Sequence, residues 1–208
     1  MAAPRSSERA IADRQKRTDA FLAIDFETAD YSRDTACAVG LVRVQAGRVV
    51  HRASYLIRPP TRYFTFTYVH GITWSMVSRK PTFHALWPEL KAALSGVDFV
   101  AAHNASFDRS VLESCCSAAR VRPPALSFVC TMRLARKAWD VRPTTLPDVC
   151  RHLGIRLRHH DPLSDAEACA QIVLAARTEG RAFEQVVGRV LARDGGPRRG
   201  RYERGETT

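Results

Sequence analysis

An acidic pair, Asp25 and Glu27, ends a short apolar run, FLAID, near the start of the sequence. The run has strand character, and residues two apart on a strand point to the same face. The two carboxylates therefore converge, and they repel each other unless a cation lies between them. A second pair with this spacing, Asp165 and Glu167, shows that spacing alone is not diagnostic. Position favours the first pair, because ligands bind at strand ends in open sheets. The position of Asp25 and Glu27 therefore indicates a divalent metal site.

A second polar cluster, HNASFD, occupies residues 103–108, directly after the apolar run DFVAA. Ser106 is suited to cap a helix, and Asp108 falls in the first turn of that helix. A carboxylate at this position complements the helix dipole, which is a purely structural role. From these residues alone, that role and a role as metal ligand both remain open for Asp108.

A third cluster, HDPLSDA, occupies residues 160–166. Pro162 or Ser164 opens a predicted helix, and Asp165 lies at its start. His160 precedes this carboxylate by five residues. A histidine at such a junction can act as a general base, because its pKa lies close to neutral pH. The simpler alternative is a surface histidine without a chemical role.

The elements that position these clusters follow an alternating pattern. Apolar runs predict strands, and Ala46-Gly47 between the second and third runs predicts a hairpin. The predicted strands are Phe21–Asp25, Ala36–Val44, Val49–Ile57, Asp98–Ala102 and Leu126–Cys130. The predicted helices cover residues 83–94, 106–119, 131–139, 145–153 and 164–178. Three strands followed by alternating helices and strands indicate an α/β fold, a mixed sheet flanked by helices.

The positive charge of the chain is concentrated in one segment. The formal net charge is +11, and residues 120–160 carry nine basic side chains against two acidic ones. Scattered arginines usually form a solvated surface, but a concentration of this size favours a polyanionic partner.

Length and composition are typical of one globular domain. No apolar run reaches about 18 residues, so no membrane span is expected, and the polar N-terminus does not resemble a secretory signal. We therefore expect a cytoplasmic protein whose six cysteines are free thiols, several of them buried. The predicted organisation is a flexible extension at 1–19, one domain at 20–180, and a helix end with a basic, disordered tail at 181–208.

Taken together, the three clusters resemble the motifs of the DEDDh exonuclease superfamily, which includes the epsilon subunit of bacterial DNA polymerase III. The first motif stands as AIDFETA at residues 23–29, the second as HNASFD, and the third as HDPLSDA with its His-x4-Asp spacing. Further matches are VHGIT at 69–73, PTF at 81–83, CTMRLAR at 130–136 and HLGI at 152–155. The resemblance extends in order from about residue 20 to residue 178.

The resemblance implies a ribonuclease H-like fold, with a five-stranded mixed sheet that contains one antiparallel strand. It also implies two Mg²⁺ or Mn²⁺ ions, since oxygen ligands suit such hard cations. The implied ligands are Asp25, Glu27, Asp108 and Asp165. His160 is implied as the general base, and the neighbouring His159 is expected to point elsewhere.

The implied substrate is a nucleic acid with a free 3′ end, expected to be single-stranded DNA in repair or end trimming. Thr28 and His70 resemble residues that border the terminal nucleotide. We expect further substrate contacts from Asn104 and Phe107, and from Arg133 in the basic segment. Three alternatives remain open: an RNA-trimming 3′→5′ exoribonuclease, a proofreading subunit associated with a DNA polymerase, and a binding module with a vestigial site.

Overall fold

The first strand lies at the centre of a five-stranded sheet, as its almost wholly apolar sequence requires. The computed structural model of the chain describes residues 19–180 and 183–194. Across the sheet, the strand order is β3-β2-β1-β4-β5. The strands are β1 (Ala20–Thr28), β2 (Ala36–Gln45), β3 (Arg48–Leu56), β4 (Phe99–Ala102) and β5 (Phe128–Cys130).

Strand directions match the sequence-based expectation. β2 runs antiparallel to both β1 and β3, whereas β1, β4 and β5 are parallel. The predicted hairpin at Ala46-Gly47 joins β2 to β3, and both turn residues have positive φ. β2 is therefore the single antiparallel strand, and the ribonuclease H-like fold with a mixed sheet is confirmed.

Helices follow the predicted order. Two single turns, α1 (Thr67–His70) and α2 (Trp74–Val77), come before the longer helices and were not predicted. The longer helices are α3 (Phe83–Leu94), α4 (Ser106–Ala118), α5 (Thr131–Trp139), α6 (Leu146–Leu153) and α7 (Pro162–Thr178). A π-helical turn, Glu184–Gly188, and α8 (Arg189–Asp194) follow. No helix in the described ranges is long and apolar enough to cross a lipid bilayer.

The sheet separates two apolar cores, and β1 contributes to both. Leu22, Ile24 and Phe26 pack on the side of α3 and α4. Phe21 and Ala23 pack on the opposite side, together with α5, α6 and α7. The period of two along a strand continues this alternation to Asp25 and Glu27, and places their side chains on the α7 side.

α7 lies very close to the sheet at its N-terminus. A Cβ atom added to Gly40 of β2 would lie 2.0 Å from the carbonyl oxygen of Pro162, the first residue of α7. Gly40 pairs with Asp25 across the β1–β2 ladder. Small buried residues of α7, among them Ala166 and Ala170, allow the same close approach along the helix. The missing side chain at Gly40 thus lets α7 begin beside Asp25.

One helix cap differs from its prediction, and one helix starts at Pro162, the first of the two predicted alternatives. Ser106 is the first residue of α4 and does not cap it; Ala105 holds the cap position. α7 starts at Pro162, and the side chain of Asp161 caps it by accepting a hydrogen bond from the Ser164 amide.

The proposed boundaries at 1–19 and 181–208 fall mostly outside the described residues and stay predictions. Within those residues, Val187 is buried in the core on the α7 side, so packed structure continues beyond residue 180. All six cysteines are free thiols, and five of them are buried, as expected.

Candidate active site

Two acidic side chains extend from the end of β1 into a cleft on the α7 side of the sheet. Asp25 and Glu27 both line this cleft, as their spacing predicts. The ladder between β1 and β2 is irregular between Glu27 and Thr28, directly after the acidic pair. The convergence predicted from the strand period is therefore present.

Asp108 reaches the acidic pair from α4. Its Oδ1 accepts a hydrogen bond of 3.0 Å from the backbone amide of Phe26, the residue between the two acids of β1. The side chain is 1% exposed. A carboxylate that only complements the dipole of its own helix needs no contact with a distant strand. The hydrogen bond instead holds Asp108 beside the first motif, which supports a role as metal ligand over a purely structural role.

Asp165 arrives from the first turn of α7 and is 3% exposed. Its Oδ2 accepts a hydrogen bond of 3.1 Å from the His160 amide and lies 2.9 Å from His159 Nδ1. Its Oδ1 is buried without a hydrogen-bond partner among the described residues. A buried carboxylate oxygen left unpaired is costly, so this atom is suited to bind a cation.

The electrostatics of the four carboxylates favour a bound cation. Burial, and then the charges of Asp165 and Asp108, raise the pKa of Glu27 to about 8. Burial raises the pKa of Asp108 to about 7 and also raises the pKa values of Asp25 and Asp165. Each group disfavours its charged form, because negative charge accumulates where little water can solvate it. A divalent cation with oxygen ligands would relieve this cost.

Two adjacent histidines stand at the edge of the cluster. His160 Nδ1 lies 3.9 Å from Glu27 Oε1. Burial, and then the neighbouring His159, lower the pKa of His160, so its imidazole is neutral at neutral pH. The expectation that His159 points elsewhere is wrong. The two rings stack with centroids 3.8 Å apart, and both line the cleft. His160 has a φ of 67°, and this left-handed backbone turns consecutive side chains to the same side.

The cleft has a volume of about 880 Å³. Its opposite wall is formed by α5, the residues before α6 and the first residue of α6. The residues of this wall are Met132, Arg136, Arg142, Pro143, Thr144, Thr145 and Leu146. The cleft therefore combines an acidic floor with two arginines, an arrangement that suits a phosphate chain with metal ions beneath it.

The predicted substrate contacts are distributed unevenly. Of the five residues predicted to contact the substrate, only Phe107 lines the cleft. Thr28 is buried, and its carbonyl oxygen lies 3.1 Å from His70 Nε2, so these two residues brace the end of β1. Asn104 accepts a hydrogen bond from Ser106 Oγ, and Arg133 is exposed on α5. The substrate roles of these residues stay predictions.

Sequence reasoning missed a polar network at the α5 wall, where His103 also lines the cleft. His103 lies 2.9 Å from Thr131 Oγ1 through Nδ1 and 3.0 Å from the Thr144 carbonyl oxygen through Nε2. Arg136 Nε donates to Thr144 Oγ1 at 2.8 Å. His103 is part of the HNASFD cluster and Arg136 of the basic segment. Both residues stood out in the sequence, but no sequence pattern predicted that Thr144 would connect them.

Sequence comparison decides the family. Residues 22–173 match the profile of the RNase_T exonuclease family. The chain belongs to this exonuclease family. The matched range contains the four clustered carboxylates and the two stacked histidines, His159 and His160.

Relatives of the chain include PolC-type DNA polymerases and an exodeoxyribonuclease. DNA polymerase III PolC-type of Thermotoga maritima is 30% identical over 158 residues, which cover 74% of this chain and 12% of the polymerase. Exodeoxyribonuclease 10 of Escherichia coli K12 is 30% identical over 156 residues, which cover 71% of this chain and 65% of the relative. The chain thus spans only a small part of the PolC-type proteins.

Solved structures give the same fold. Exonuclease X in complex with 5′ overhanging duplex DNA superposes with a TM-score of 0.65 at 26% identity, covering 81% of this chain and 98% of that one. The nuclease domain of 3′hExo, a DEDDh family member bound to rAMP, has a TM-score of 0.66 at 20% identity and covers 78% of this chain and 94% of that one. Together with the family match, the likeness to Exonuclease X confirms the resemblance to the DEDDh exonucleases drawn from the three motifs.

Proposed function

We propose that this chain is a metal-dependent 3′→5′ exonuclease that releases nucleotides from the 3′ end of single-stranded DNA. One observation carries the proposal: three carboxylates from β1 and α7 line one cleft, a fourth from α4 is buried beside them, and the pKa of each is raised. Such a cluster is unfavourable without cations and suited to binding them.

Asp25, Glu27, Asp108 and Asp165 would hold two Mg²⁺ or Mn²⁺ ions, because all four offer only oxygen ligands. The unpartnered Oδ1 of Asp165 supports this fit. When bound, the cations supply positive charge that offsets the charge growing on the phosphate oxygens during displacement.

His160 is the proposed general base. Its lowered pKa keeps the imidazole neutral at neutral pH, so the ring can accept the proton of the attacking water. The hydrogen bond from its backbone amide to Asp165 Oδ2 fixes the histidine relative to the proposed metal ligands. Arg136 and Arg142 in the opposite wall are suited to bind the phosphates of the strand.

The DNA substrate is supported by two of the similar proteins, an exodeoxyribonuclease and a nuclease solved with DNA. The chemistry at the phosphorus atom is the same for RNA, so the substrate must be tested directly. The test uses three matched oligonucleotides labelled at the 5′ end: single-stranded DNA, duplex DNA with a mismatched 3′ end, and single-stranded RNA.

We expect products that shorten one nucleotide at a time from the 3′ end, fastest on single-stranded DNA, with no products in EDTA. Asp25→Asn should remove activity by several orders of magnitude, because it removes a proposed ligand. Glu89→Gln, a change at an exposed carboxylate of α3 on the other side of the sheet, is the control and should retain activity. Preferred cleavage of RNA would overturn the DNA assignment, and turnover in EDTA would overturn the metal mechanism.

A further inference from the structure

The two stacked histidines and Asp165 form a cluster of a chemical kind different from the four carboxylates. One ligand atom from each of His159, His160 and Asp165 lies within 4.8 Å of the others. Hard cations such as Mg²⁺ prefer oxygen, whereas Zn²⁺ and similar ions prefer imidazole nitrogen. Two imidazoles and one carboxylate are the ligand set of many zinc sites that keep one position open.

We propose that His159, His160 and Asp165 form a binding site for Zn²⁺ or a similar transition-metal ion, and that filling this site inhibits the exonuclease. The inhibitory part rests on the proposed function, whereas the binding part stands on the geometry alone.

The backbone prepares this site. In extended chain, the side chains of neighbouring residues point to opposite faces. The φ of 67° at His160 breaks this rule and turns both imidazoles towards Asp165. The two rings stack with centroids 3.8 Å apart, and the lone pair of an imidazole nitrogen lies in the plane of its ring. Rotation of one ring out of the stack would therefore bring both nitrogens to a common ion, at zinc–nitrogen distances of about 2 Å.

Asp165 offers the third ligand without losing its place in the fold. Its Oδ1 is buried and has no hydrogen-bond partner among the described residues. Its Oδ2 lies 2.9 Å from His159 Nδ1, so an ion would replace the proton that these two atoms share. The amide of His160 still donates to Oδ2 and keeps the carboxylate oriented.

The histidine side remains accessible to solvent. The side chains of His159 and His160 are 39% and 38% exposed, whereas that of Asp165 is 4% exposed. An ion can therefore enter and leave from solvent, and binding should be reversible.

Occupation of this site conflicts with the proposed reaction in two ways. A metal-bound His160 cannot accept a proton from water. Asp165 would also be drawn away from the hard cation that it is proposed to hold. The site therefore predicts inhibition by Zn²⁺ at concentrations far below those of Mg²⁺, and recovery on addition of a zinc chelator that leaves Mg²⁺ in place.

The first test measures binding without any nuclease assay. Co²⁺ is titrated into the metal-free full-length protein in the presence of excess Mg²⁺, and visible absorption is recorded. Co²⁺ held by two imidazoles and a carboxylate in four-coordinate geometry absorbs intensely, whereas Co²⁺ in an octahedral oxygen site absorbs weakly. We expect an intense band that Zn²⁺ abolishes by competition.

The matched variants are His159→Ala and His51→Ala. His51 is an exposed histidine of β3 and serves as the control. His159→Ala should weaken Co²⁺ and Zn²⁺ binding by about 10- to 100-fold, the range reported even for loss of a residue that only supports a metal ligand. His51→Ala should leave both affinities unchanged.

The second test measures the zinc concentration that halves turnover, each variant being compared with its own zinc-free rate. This concentration should rise about 10- to 100-fold in His159→Ala, in parallel with the binding. A weak cobalt band, or zinc binding unaffected by His159→Ala, would overturn the site. An intense, histidine-dependent band with unaltered turnover would overturn only the inhibition. Absence of nuclease activity in every condition would refute the proposed function and leave the binding result valid.

Discussion

Glu27→Gln should stabilise the metal-free protein at neutral pH, although it removes a proposed metal ligand. Burial and two neighbouring carboxylates raise the pKa of Glu27 from 4.5 to about 8. The folded state therefore retains a proton that the unfolded chain releases, and stability falls as pH rises from 4.5 to about 8. Glutamine is a neutral mimic of the protonated side chain and removes this loss.

The magnitude follows from the pH interval. An assay pH of about 7.5 lies about three units above the pKa of Glu27 in the unfolded chain, and each unit is worth about 1.4 kcal/mol. Glu27→Gln should therefore raise the free energy of unfolding by up to about 4 kcal/mol, since the Glu27 side chain is only 13% exposed. For a domain of this size, that corresponds to an increase in Tm of about 10 °C.

The assay is thermal unfolding in EDTA at about pH 7.5 and about pH 4.5, with Glu167→Gln as control. Glu167 pairs with Arg52 on the surface, and its loss should change stability by about 1 kcal/mol or less. The advantage of Glu27→Gln should vanish at the lower pH. In saturating Mg²⁺ the wild type should be more stable than Glu27→Gln, because it binds the ions more tightly. A variant less stable than wild type in EDTA at neutral pH would refute the reasoning about repulsion.

Three further predictions concern other parts of the cleft. His160→Ala should lower kcat by about 10²- to 10⁴-fold, because it removes the proposed general base. His159→Ala should lower kcat by less, because His159 contacts Asp165 and is not the proposed base. Equal losses in the two variants would contradict the assignment of His160 as the base. Gly40→Ala should lower Tm and kcat together, because its Cβ would force α7 and Asp165 away from β1; wild-type values of both would show that the close approach is unnecessary. Neutralising three basic residues of α5 should raise KM and leave kcat nearly unchanged. It should also make the slope of log affinity against log salt concentration shallower by about 0.7 for each lost phosphate contact. A wild-type slope would show that this face of α5 does not contact the strand. These residues are Arg133, Arg136 and Lys137.

Much of the fold could be predicted because its elements carry strong periodic signals. The apolar run of β1, the turn at Ala46-Gly47 and the apolar face of α3 each specify a local structure with little competition. Element ends were less accurate. Ser106 satisfies the composition of a helix cap, but the loop before α4 places Ala105 in that position. Chemical suitability for a cap does not determine where a helix starts.

The carboxylates of the site could be predicted in identity but not in their contacts. Asp108 accepts from the Phe26 amide, 82 residues earlier, and no local pattern predicts so distant a partner. The orientation of His159 depends on the left-handed φ of His160, a conformation that is uncommon for residues other than glycine. Gly40 gave no signal, because its importance arises only when α7 packs against β2.

The order of these elements along the chain has a consequence for protein synthesis. The five strands are complete by Cys130, and three of the four carboxylates precede that residue. Asp165 and the two stacked histidines, His159 and His160, come after Cys130, and Asp165 belongs to α7, the last long helix that packs on the sheet. A nascent chain that has left the ribosome only as far as α6 therefore contains every strand of the sheet but lacks Asp165 and His160. The proposed site can be completed only after α7 has been synthesised and packs across β1 and β2.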